Sequence, residues 1–462
     1  GRGPVTALCA LVGILWAAGA TACPPGHGRH FGKGASQDCD GQRLGPVSWS
    51  VRSSHPAVHM GGSARVLVEI KLHADRLPAG TRRPIAVAIV LDRSGSMQGR
   101  KWDDAAEAAR SAIRRLRNGD IVSIVSYASD VRVDWPAQRF ASEQRDDLLR
   151  VIGRMSPSGS TFLEGGLRKG AEQLAKFVDG VRPARVLLVS DGNANVGVQS
   201  GHGLAQVARR NAAGGIVTTT IGLGTDYNED TMTAVADGGS GSYYYVRDSE
   251  RLGDTFSKEL ERIMTTAARR IAVRIVPGPG VRVVDVLGYD GEAFGDGGME
   301  IPLGELASDA DRSLLVELEV HCSSRGRQRL AEVELELLDG EGERRRGRAD
   351  VAVDATDDND RVERERDLGV IGRHEEHKLA HEMRASAEMV SQGKGTEAKE
   401  RLNRAAARAK QFAGRSGNKA LSKSADEAQQ QAQQAPAAAA DAPAEREHTK
   451  KSMKARAYQM AK

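Results

Sequence analysis

Three oxygen-bearing side chains follow the apolar run "PIAVAIVL" at alternate positions. They are Asp92, Ser94 and Ser96, in the segment "LDRSGSM". A carboxylate and two hydroxyls at this spacing are compatible with four interpretations: a nucleophile cluster, a phosphate loop, a metal site or an ordinary polar turn. The choice among the four depends on what the rest of the chain supplies.

The nucleophile and the phosphate loop need partners that the sequence does not provide. A haloacid-type phosphatase needs a second Asp where Ser94 stands, and a P-loop needs the pattern G-x-x-x-x-G-K-[ST]. A G-x-S-x-G elbow is also absent, because Ser96 in "GSMQG" lies one place too early. A serine nucleophile would therefore need a base from a scattered set of histidines.

A metal site finds further ligands elsewhere in the chain. Hydroxyl and carboxylate oxygens suit hard cations such as Mg²⁺, Mn²⁺ or Ca²⁺ better than Zn²⁺. One loop supplies too few ligands, so this interpretation requires oxygens from other loops, and Thr161 in "GSTFLEGGL" and Asp191 in "LLVSDGNANVG" supply them. The expected cofactor is a divalent cation, Mg²⁺ first, with Mn²⁺ or Ca²⁺ as alternatives.

The pattern resembles the metal-ion-dependent adhesion site of von Willebrand factor A (VWA) domains. That site is written D-x-S-x-S, then a distant Thr, then a distant Asp, and the matching positions here are Asp92, Ser94, Ser96, Thr161 and Asp191. The resemblance covers residues 84–264, and this stretch is similar to bacterial exported members of the family. The flanking β segments are similar to those of inter-alpha-trypsin-inhibitor heavy-chain-like and chloride-channel-like members.

The resemblance implies a binding protein rather than an enzyme. It implies that Ser94, Ser96 and Thr161 contact the ion through neutral hydroxyls, while Asp92 and Asp191 act largely through water or hydrogen bonds. An acidic residue of a partner protein then completes the ligand shell and neutralises the remaining charge. The alternatives are a metal-dependent hydrolase, and a scaffold subunit of an envelope complex whose site is purely structural.

Alternating strands and helices position these residues. From 84 to 267, apolar runs such as "IVSIVSY", "RVLLVSD" and "IVTTTIGLG" alternate with amphipathic helical segments. This order predicts an α/β fold with a doubly wound, mostly parallel sheet. Asp92 and Asp191 stand at the carboxyl ends of two such strands, where ligand sites of these sheets lie.

The rest of the chain predicts a β-sandwich and a C-terminal helical segment. Strand patterns at 268–356 predict an antiparallel β-sandwich, and those at 46–83 are expected to join it, which makes the α/β domain an insertion. Residues 361–413 predict a helical hairpin with a break at "SQGKGT". Residues 414–462 are expected to form a disordered low-complexity tail with a basic end.

The N-terminus has the pattern of an export signal. Residues 1–23 contain an apolar segment and end in "ATAC", which resembles a bacterial lipoprotein cleavage box with Cys23 as the lipidated residue. A plainly secreted form and an uncleaved anchor are the alternatives, and 24–45 is expected to be a flexible linker. The expected location is therefore the cell envelope (periplasmic or outer-membrane) or the medium, with membrane contact through the N-terminal lipid or anchor.

The charge distribution gives no indication of nucleic-acid binding. The net charge is +4, and the six basic and two acidic side chains of 445–462 account for it, so the remaining chain is balanced.

Two weaker signals remain. Cys39 and Cys322 could pair in an oxidising compartment. His374, His377 and His381 share one helical face, for which a solvated surface is preferred over a metal site or a pH sensor.

Overall fold

A computed structural model of the chain describes residues 41–78, 81–191, 194–223, 228–246, 252–295, 297–440 and 443–461. The predicted signal segment, Cys23, Cys39 and most of the predicted linker lie outside these ranges. The predictions about export, lipidation and the disulfide therefore stay predictions. Among the described residues, no helix is both long and apolar enough to cross a membrane.

Strands form the first part of the described chain, strands and helices alternate from 86 to 264, strands alone return at 266–356, and helices form its end. In chain order the strands are β1 (Gln42–Leu44), β2 (Val47–Ser53), β3 (Ala57–His59), β4 (Ser63–Ala74), β5 (Ala86–Asp92), β6 (Ile121–Tyr127), β7 (Val131–Arg139), β8 (Ala184–Ser190), β9 (Ile216–Leu223), β10 (Ser240–Val246), β11 (Thr266–Pro277), β12 (Val281–Leu287), β13 (Glu292–Phe294), β14 (Gly298–Ala307), β15 (Asp311–His321), β16 (Gly326–Leu338) and β17 (Arg344–Thr356). The helices are α1 (Arg100–Arg115), α2 (Arg145–Gly153), α3 (Leu163–Ala175), α4 (Gly201–Ala213), α5 (Glu229–Gly238), α6 (Leu252–Met264), α7 (Asn359–Arg364), α8 (Leu368–Ser391), α9 (Gly395–Ser416), α10 (Lys419–Ala440) and α11 (Pro443–Ala461).

The α/β domain is built on a six-stranded sheet in the order β10–β9–β8–β5–β6–β7. All neighbouring pairs are parallel except β6 and β7, which are antiparallel. Helices α1, α2 and α6 cover one face, and α3, α4 and α5 cover the other. Because both faces are covered, every residue of β5 and β8 is buried, which explains their unbroken apolar runs. The predicted doubly wound sheet is confirmed.

The β-sandwich consists of two sheets on one apolar core. One has the order β1–β2–β4–β15–β12 and the other β13–β14–β11–β16–β17–β3, and apolar residues of both sheets share the same buried cluster. The long antiparallel pair of β15 with β4 joins the segments on either side of the α/β domain. The α/β domain is therefore inserted between β4 and β11.

A buried ion cluster links the two domains. Arg185 of β8 donates hydrogen bonds to Glu259 of α6 and to Glu305 of β14, and all three side chains are buried. Thr219 and Tyr244 donate further hydrogen bonds to Glu259, at 2.6 and 2.8 Å. Burial opposes its charge, but the two carboxylates hold the pKa of Arg185 above its usual value. One guanidinium thus connects the central sheet, a covering helix and the sandwich.

The prediction of a disordered tail at 414–462 is wrong for the described residues. The helices α10 and α11 pack with α8 and α9 around a common apolar core. In α10 the buried residues follow a four–three spacing typical of helix seams: Leu421, Ala425, Ala428, Ala432 and Ala435. The composition is low in large apolar residues, which suggested disorder, yet the regular spacing of alanines provides a close-packed seam.

Four strands were missed because each is interrupted or very short, and one of them, β1 (Gln42–Leu44), lies within the predicted linker 24–45. Strand β7 contains Pro136, and β14 contains Pro302 and Gly304, while β13 has only the three residues Glu292–Phe294. Proline cannot donate a ladder hydrogen bond, and Gly304 adopts a positive φ of 77° where register shifts interrupt the ladder between β11 and β14. These breaks hide the period-two pattern that indicates a strand.

The basic helix α11 docks on the α/β domain. Tyr458 packs edge-on against Tyr243 of β10, with ring centroids 5.8 Å apart, and its hydroxyl donates to Asp237 of α5 at 3.0 Å. Lys450 and Lys454 pair with Glu229, the first residue of α5, at 3.1 and 3.2 Å. The basic end of the chain is thus engaged within the protein itself.

We expect this docking to weaken in acid. Burial favours the neutral form of Glu229, but a hydrogen bond from its own backbone and the ammonium groups of Lys454 and Lys450 outweigh it, so its pKa lies below the usual value. The resulting stabilisation is present above the unfolded pKa of a glutamate (about 4.3) and is lost as pH falls through the lower folded value. In urea denaturation, wild type should lose more stability between about pH 6 and about pH 3 than Glu229→Gln does. Glu397→Gln, an exposed glutamate in the first turn of α9, is the matched control and should lose as much as wild type.

Candidate metal site

The first loop of the site follows β5 at the carboxyl edge of the sheet. Asp92 is the last residue of β5, and its Oδ1 accepts a hydrogen bond from the Ser94 amide at 2.8 Å. This bond turns the chain into a short 3₁₀ turn, Gly95–Met97, so that the hydroxyls of Ser94 and Ser96 lie 3.1 Å apart. The alternate spacing seen in the sequence therefore places both hydroxyls on the same side of the loop.

Asp92 is completely buried and held from two sides. Its Oδ2 accepts hydrogen bonds from the Ser190 hydroxyl at 2.6 Å and from the Tyr127 hydroxyl at 3.3 Å. Burial raises the pKa of Asp92 to about 6, although hydrogen bonds from Ser190 and Ser94 oppose this, and the nearby Asp191 adds to the rise. The protein thus buries two neighbouring carboxylates at one sheet edge.

Asp191 directly follows β8, the neighbour of β5 in the sheet, and adds a second carboxylate to the site. Its Oδ1 accepts a hydrogen bond from the Ser96 hydroxyl at 2.8 Å, and its Oδ2 accepts one from the ammonium of Lys101 at 2.6 Å. Lys101 lies in the first turn of α1, and its side chain is partly exposed. The second buried carboxylate is therefore partly neutralised from the solvent side.

The loop that carries Thr161 is fixed to the first loop through the backbone. The Gly95 amide donates to the Gly159 carbonyl at 3.0 Å, and the Ser158 amide donates to the Arg93 carbonyl at 2.7 Å. Gly159 has a positive φ of 81°, and a Cβ there would lie 2.6 Å from the Ser129 hydroxyl, so glycine is required. The loop thus stays against the segment that carries Ser94 and Ser96.

Thr161 itself is buried and oriented by Asn195. Its amide donates to the Asn195 Oδ1 at 2.7 Å, and the Asn195 amide donates to the Thr161 carbonyl at 3.1 Å. Among the described residues, Asp92, Ser94, Ser96 and Asp191 form one hydrogen-bonded set, and no hydrogen bond joins the Thr161 hydroxyl to it. Hydrogen bonds between the residues themselves therefore join four of the five predicted site residues. Thr161, the fifth, is linked to them through the backbone hydrogen bonds of its loop.

The donor set fits a hard divalent cation. The oxygens of Ser94, Ser96 and Asp191 are spaced 3.1 and 2.8 Å apart, while neighbouring corners of an octahedron with bonds of about 2.1 Å lie about 3 Å apart. Two buried carboxylates with one partly exposed ammonium also leave negative charge to be compensated. The chemistry of the oxygens suits Mg²⁺ or Mn²⁺, and no thiol or imidazole stands in this hydrogen-bonded set.

The sequence assigned no role to four side chains that organise the site. Ser190 and Tyr127 hold Asp92, Asn195 orients Thr161, and Lys101 binds Asp191. Ser190 and Asn195 stand in the segment "LLVSDGNANVG", so their proximity to Asp191 in the chain was a signal. Tyr127 and Lys101 come from other elements, and nothing in their spacing indicates a role.

Two other groups of candidate ligands do not compete with this site. In the part of the chain that the structure describes, His374, His377 and His381 are not brought together as metal ligands. Burial, followed by the nearby Lys378, lowers the pKa of the half-buried His374, which favours its neutral form. Three carboxylates do converge, those of Glu229, Asp230 and Glu388, but the ammonium of Lys454 already pairs with each of them.

Comparison with known proteins assigns the α/β domain to a family. The family model of the von Willebrand factor type A domain matches residues 86–258. The chain therefore contains a VWA domain, and the resemblance inferred from its five site residues is confirmed at the level of the domain. VWA domains generally mediate protein–protein interactions, and many bind divalent cations.

Individual relatives match about half of the chain at low identity. The uncharacterized protein YfbK of Escherichia coli (strain K12) is 26% identical over 205 residues, which cover 44% of this chain and 34% of YfbK. The inter-alpha-trypsin inhibitor heavy chain H3 of Pongo abelii is 24% identical over 248 residues, covering 52% and 28%. The chain thus spans about a third of the length of these relatives.

A solved structure extends the likeness of fold beyond the VWA domain. The von Willebrand factor type A protein from Catenulispora acidiphila has a TM-score of 0.68 at 18% identity, covering 86% of this chain and 92% of that one. At this identity the likeness shows the fold alone. It nevertheless covers far more than residues 86–258, so the flanking elements belong to the shared architecture.

Removing the ammonium of Lys101 should strengthen cation binding. The Lys101 ammonium donates a hydrogen bond to the Oδ2 of Asp191, and its positive charge repels any cation placed beside Asp191. We expect Lys101→Met to raise the affinity for Mg²⁺ roughly fivefold or more, measured by calorimetric titration. Lys169→Met, which removes a lysine from the exposed pair with Glu172, is the control and should leave the affinity unchanged. Weaker binding in Lys101→Met would show that the lysine supports the site.

Proposed function

We propose that the chain is an exported cell-envelope protein that binds a partner protein through a divalent cation at its VWA domain. Ser94, Ser96 and Thr161 would hold the ion through their hydroxyls, with Asp92 and Asp191 as the acidic residues of the site. The observation that carries the proposal is the hydrogen-bonded set of Ser94, Ser96 and Asp191 beside the buried Asp92.

The mode of binding follows from which oxygens carry charge. When bound, the ion supplies positive charge and a coordination position that an outside ligand can fill. Asp92 is engaged by Ser190, Tyr127 and the Ser94 amide, so its charge is already shared among three donors. The hydroxyls of Ser94 and Ser96 are neutral. An acidic side chain of a partner is therefore the ligand that such a site favours.

A binding role also agrees with the surroundings of the two serines. In the described part of the chain, no histidine is hydrogen-bonded to Ser94 or Ser96, and the Ser96 hydroxyl donates to Asp191. Activation of a serine requires an adjacent base that removes its proton. Within the residues described, the two serines therefore lack the histidine base of a serine hydrolase, which agrees with a binding role.

The envelope location is part of the proposal and rests on the N-terminal sequence. The segment before Cys23 has the pattern of an export signal, and "ATAC" resembles a lipoprotein cleavage box. Labelling of cells with a radioactive fatty acid should mark the wild-type protein and leave Cys23→Ser unlabelled. Absence of label on the wild type would contradict lipid attachment.

Capture of a partner from envelope extract tests the binding function. The immobilised full chain should retain a partner protein in Mg²⁺ and release it in EDTA. Ser94→Ala/Ser96→Ala should retain it at least about tenfold less, because two of the proposed ion contacts are removed. The matched control is Ser323→Ala/Ser324→Ala, a pair of exposed serines in the sandwich, which should behave as wild type. Equal retention in Mg²⁺ and EDTA by the wild type, or equal retention in Mg²⁺ by Ser94→Ala/Ser96→Ala and by Ser323→Ala/Ser324→Ala, would refute the proposal.

A further inference from the structure

A cavity of about 290 Å³ lies where the α/β domain meets the sandwich. Its α/β wall comes from the segment before β8, the end of α4 and the start of β9, and its other wall comes from β11 and β14. The cavity is at the amino ends of β8 and β9, whereas Asp191 follows the carboxyl end of β8. It is therefore at the opposite edge of the sheet from the candidate metal site.

The carboxylates in the cavity wall are largely committed to other partners. Glu305 is bound by the buried Arg185, and Glu300 pairs with Arg274 at 3.3 Å. Glu292 also lines the cavity, and it is exposed. Within the described residues these carboxylates form no ion pair with Arg269 or Arg270, although Glu305 is close enough to favour the charged form of Arg269 and so to raise its pKa.

Two arginines of β11 bring uncompensated positive charge into this wall. Arg269 is 6% exposed, yet within the described part of the chain its hydrogen bonds go only to the backbone carbonyls of Gly180 and Asp339. Arg270 has no hydrogen bond or ion pair with any described residue, and a Cβ on Gly215 would lie 2.6 Å from its Nη2. Both guanidinium groups thus stand at the cavity without a carboxylate partner of their own.

Two further observations favour an anionic ligand for these arginines. The Nε of Arg182, a third arginine of the wall, is buried and has no hydrogen-bond partner among the described residues. Burial, reinforced by Arg83 and Arg270, lowers the pKa of Arg269, although Glu305 and Asp179 oppose this. A buried donor and a buried cation without full compensation are both costly unless a ligand satisfies them.

Much of the remaining wall is apolar. Val178, Pro183 and Ala212 contribute from the α/β domain, and Ile271 and Pro302 from the sandwich. A free inorganic anion would leave this surface uncovered, whereas a ligand that joins an anionic group to an apolar body would cover both parts. The volume is that of a small organic molecule rather than of a peptide segment.

We propose that this interdomain cavity binds a small organic anion, a carboxylate or phosphate ester with an apolar body, whose charged group is held by Arg269 and Arg270. Guanidinium groups present paired N–H donors that match the oxygens of both kinds of anion. The site is separate from the candidate metal site and does not depend on the proposed adhesion function. Its ligand would contact both domains at once.

The probe for the experiment is 1-naphthyl phosphate, titrated into the full chain in EDTA so that the metal site takes no part. We expect saturable binding by wild type. Binding should be at least about tenfold weaker in Arg270→Gln, because a charge-assisted pair with the ligand is lost at an exposed residue. Arg115→Gln, which changes another exposed arginine in the last turn of α1, should bind as wild type. Unfolding curves of the variants report whether the fold is intact.

Two further ligands and one variant test the division of the cavity into charged and apolar parts. Inorganic phosphate and 1-naphthol should each bind at least about tenfold more weakly than the ester, because each engages one part only. Ala212→Leu should weaken binding of the ester by filling the apolar wall while leaving both arginines in place. Absence of saturable binding by wild type, or equal binding by wild type and Arg270→Gln, would overturn the proposal.

Discussion

Replacing Arg185 with methionine should destabilise the protein by about 3–5 kcal/mol, because the change leaves two buried carboxylates without their cation. Glu259 is fully buried, and Arg185 is among the groups that hold its pKa below the usual value against the effect of burial. Without the guanidinium, the two carboxylates lose the cation that compensates their burial. The free energy of unfolding from urea denaturation measures the loss.

A triple variant separates loss of charge pairing from loss of packing. Arg185→Met combined with Glu259→Gln and Glu305→Gln keeps similar volumes and removes all three charges. It should be clearly more stable than Arg185→Met alone, since no unpaired buried charge remains. Arg115→Met, at an exposed position of α1, should change stability by less than about 0.5 kcal/mol. If Arg185→Met were as stable as wild type, the cluster would not contribute to the contact between the domains.

Replacing Asp191 with alanine should weaken Mg²⁺ binding by about 100-fold or more. Asp191 accepts the hydrogen bond that orients Ser96, and it provides one of the two buried negative charges that attract a cation. Loss of such an orienting carboxylate typically costs about 10–100-fold in metal affinity, and the lost charge adds to this. The measurement is the Mg²⁺-dependent rise in melting temperature, which should be present in wild type and absent in Asp191→Ala.

The matched control for Asp191 is Asp103→Ala, an exposed aspartate in the first turn of α1. This variant should keep the Mg²⁺-dependent rise of wild type, whatever small change occurs in its own stability. A rise of equal size in Asp191→Ala and Asp103→Ala would show that any bound Mg²⁺ lies elsewhere.

The sequence predicted the α/β domain well because its signals are local and strong. The runs that became β5 and β8 are apolar throughout, since helices cover both faces, and Asp92 and Asp191 follow them directly. The D-x-S-x-S spacing then requires only a short turn to align Ser94 with Ser96. The type and order of these residues therefore predicted that Asp92, Ser94, Ser96 and Asp191 meet at one edge of the sheet.

The features that the sequence did not reveal depend on contacts between distant segments. Lys101 and Tyr127 reach the site from other elements, and their positions follow only from the packing of the sheet. The pairing of Arg185 with Glu305 joins residues 120 positions apart. The alanines of α10 are buried because other helices cover them. Composition alone does not show this contact, so the segment was expected to be disordered.

The most direct test of the central claim is a calorimetric titration of Mg²⁺ into the metal-free full chain, with Asp92→Ala titrated alongside. The claim predicts one saturable site in wild type and its loss in Asp92→Ala, with the two proteins showing comparable folded circular dichroism spectra. The same heat of binding in wild type and Asp92→Ala, or no saturable binding of Mg²⁺, Mn²⁺ or Ca²⁺ by wild type, would contradict it.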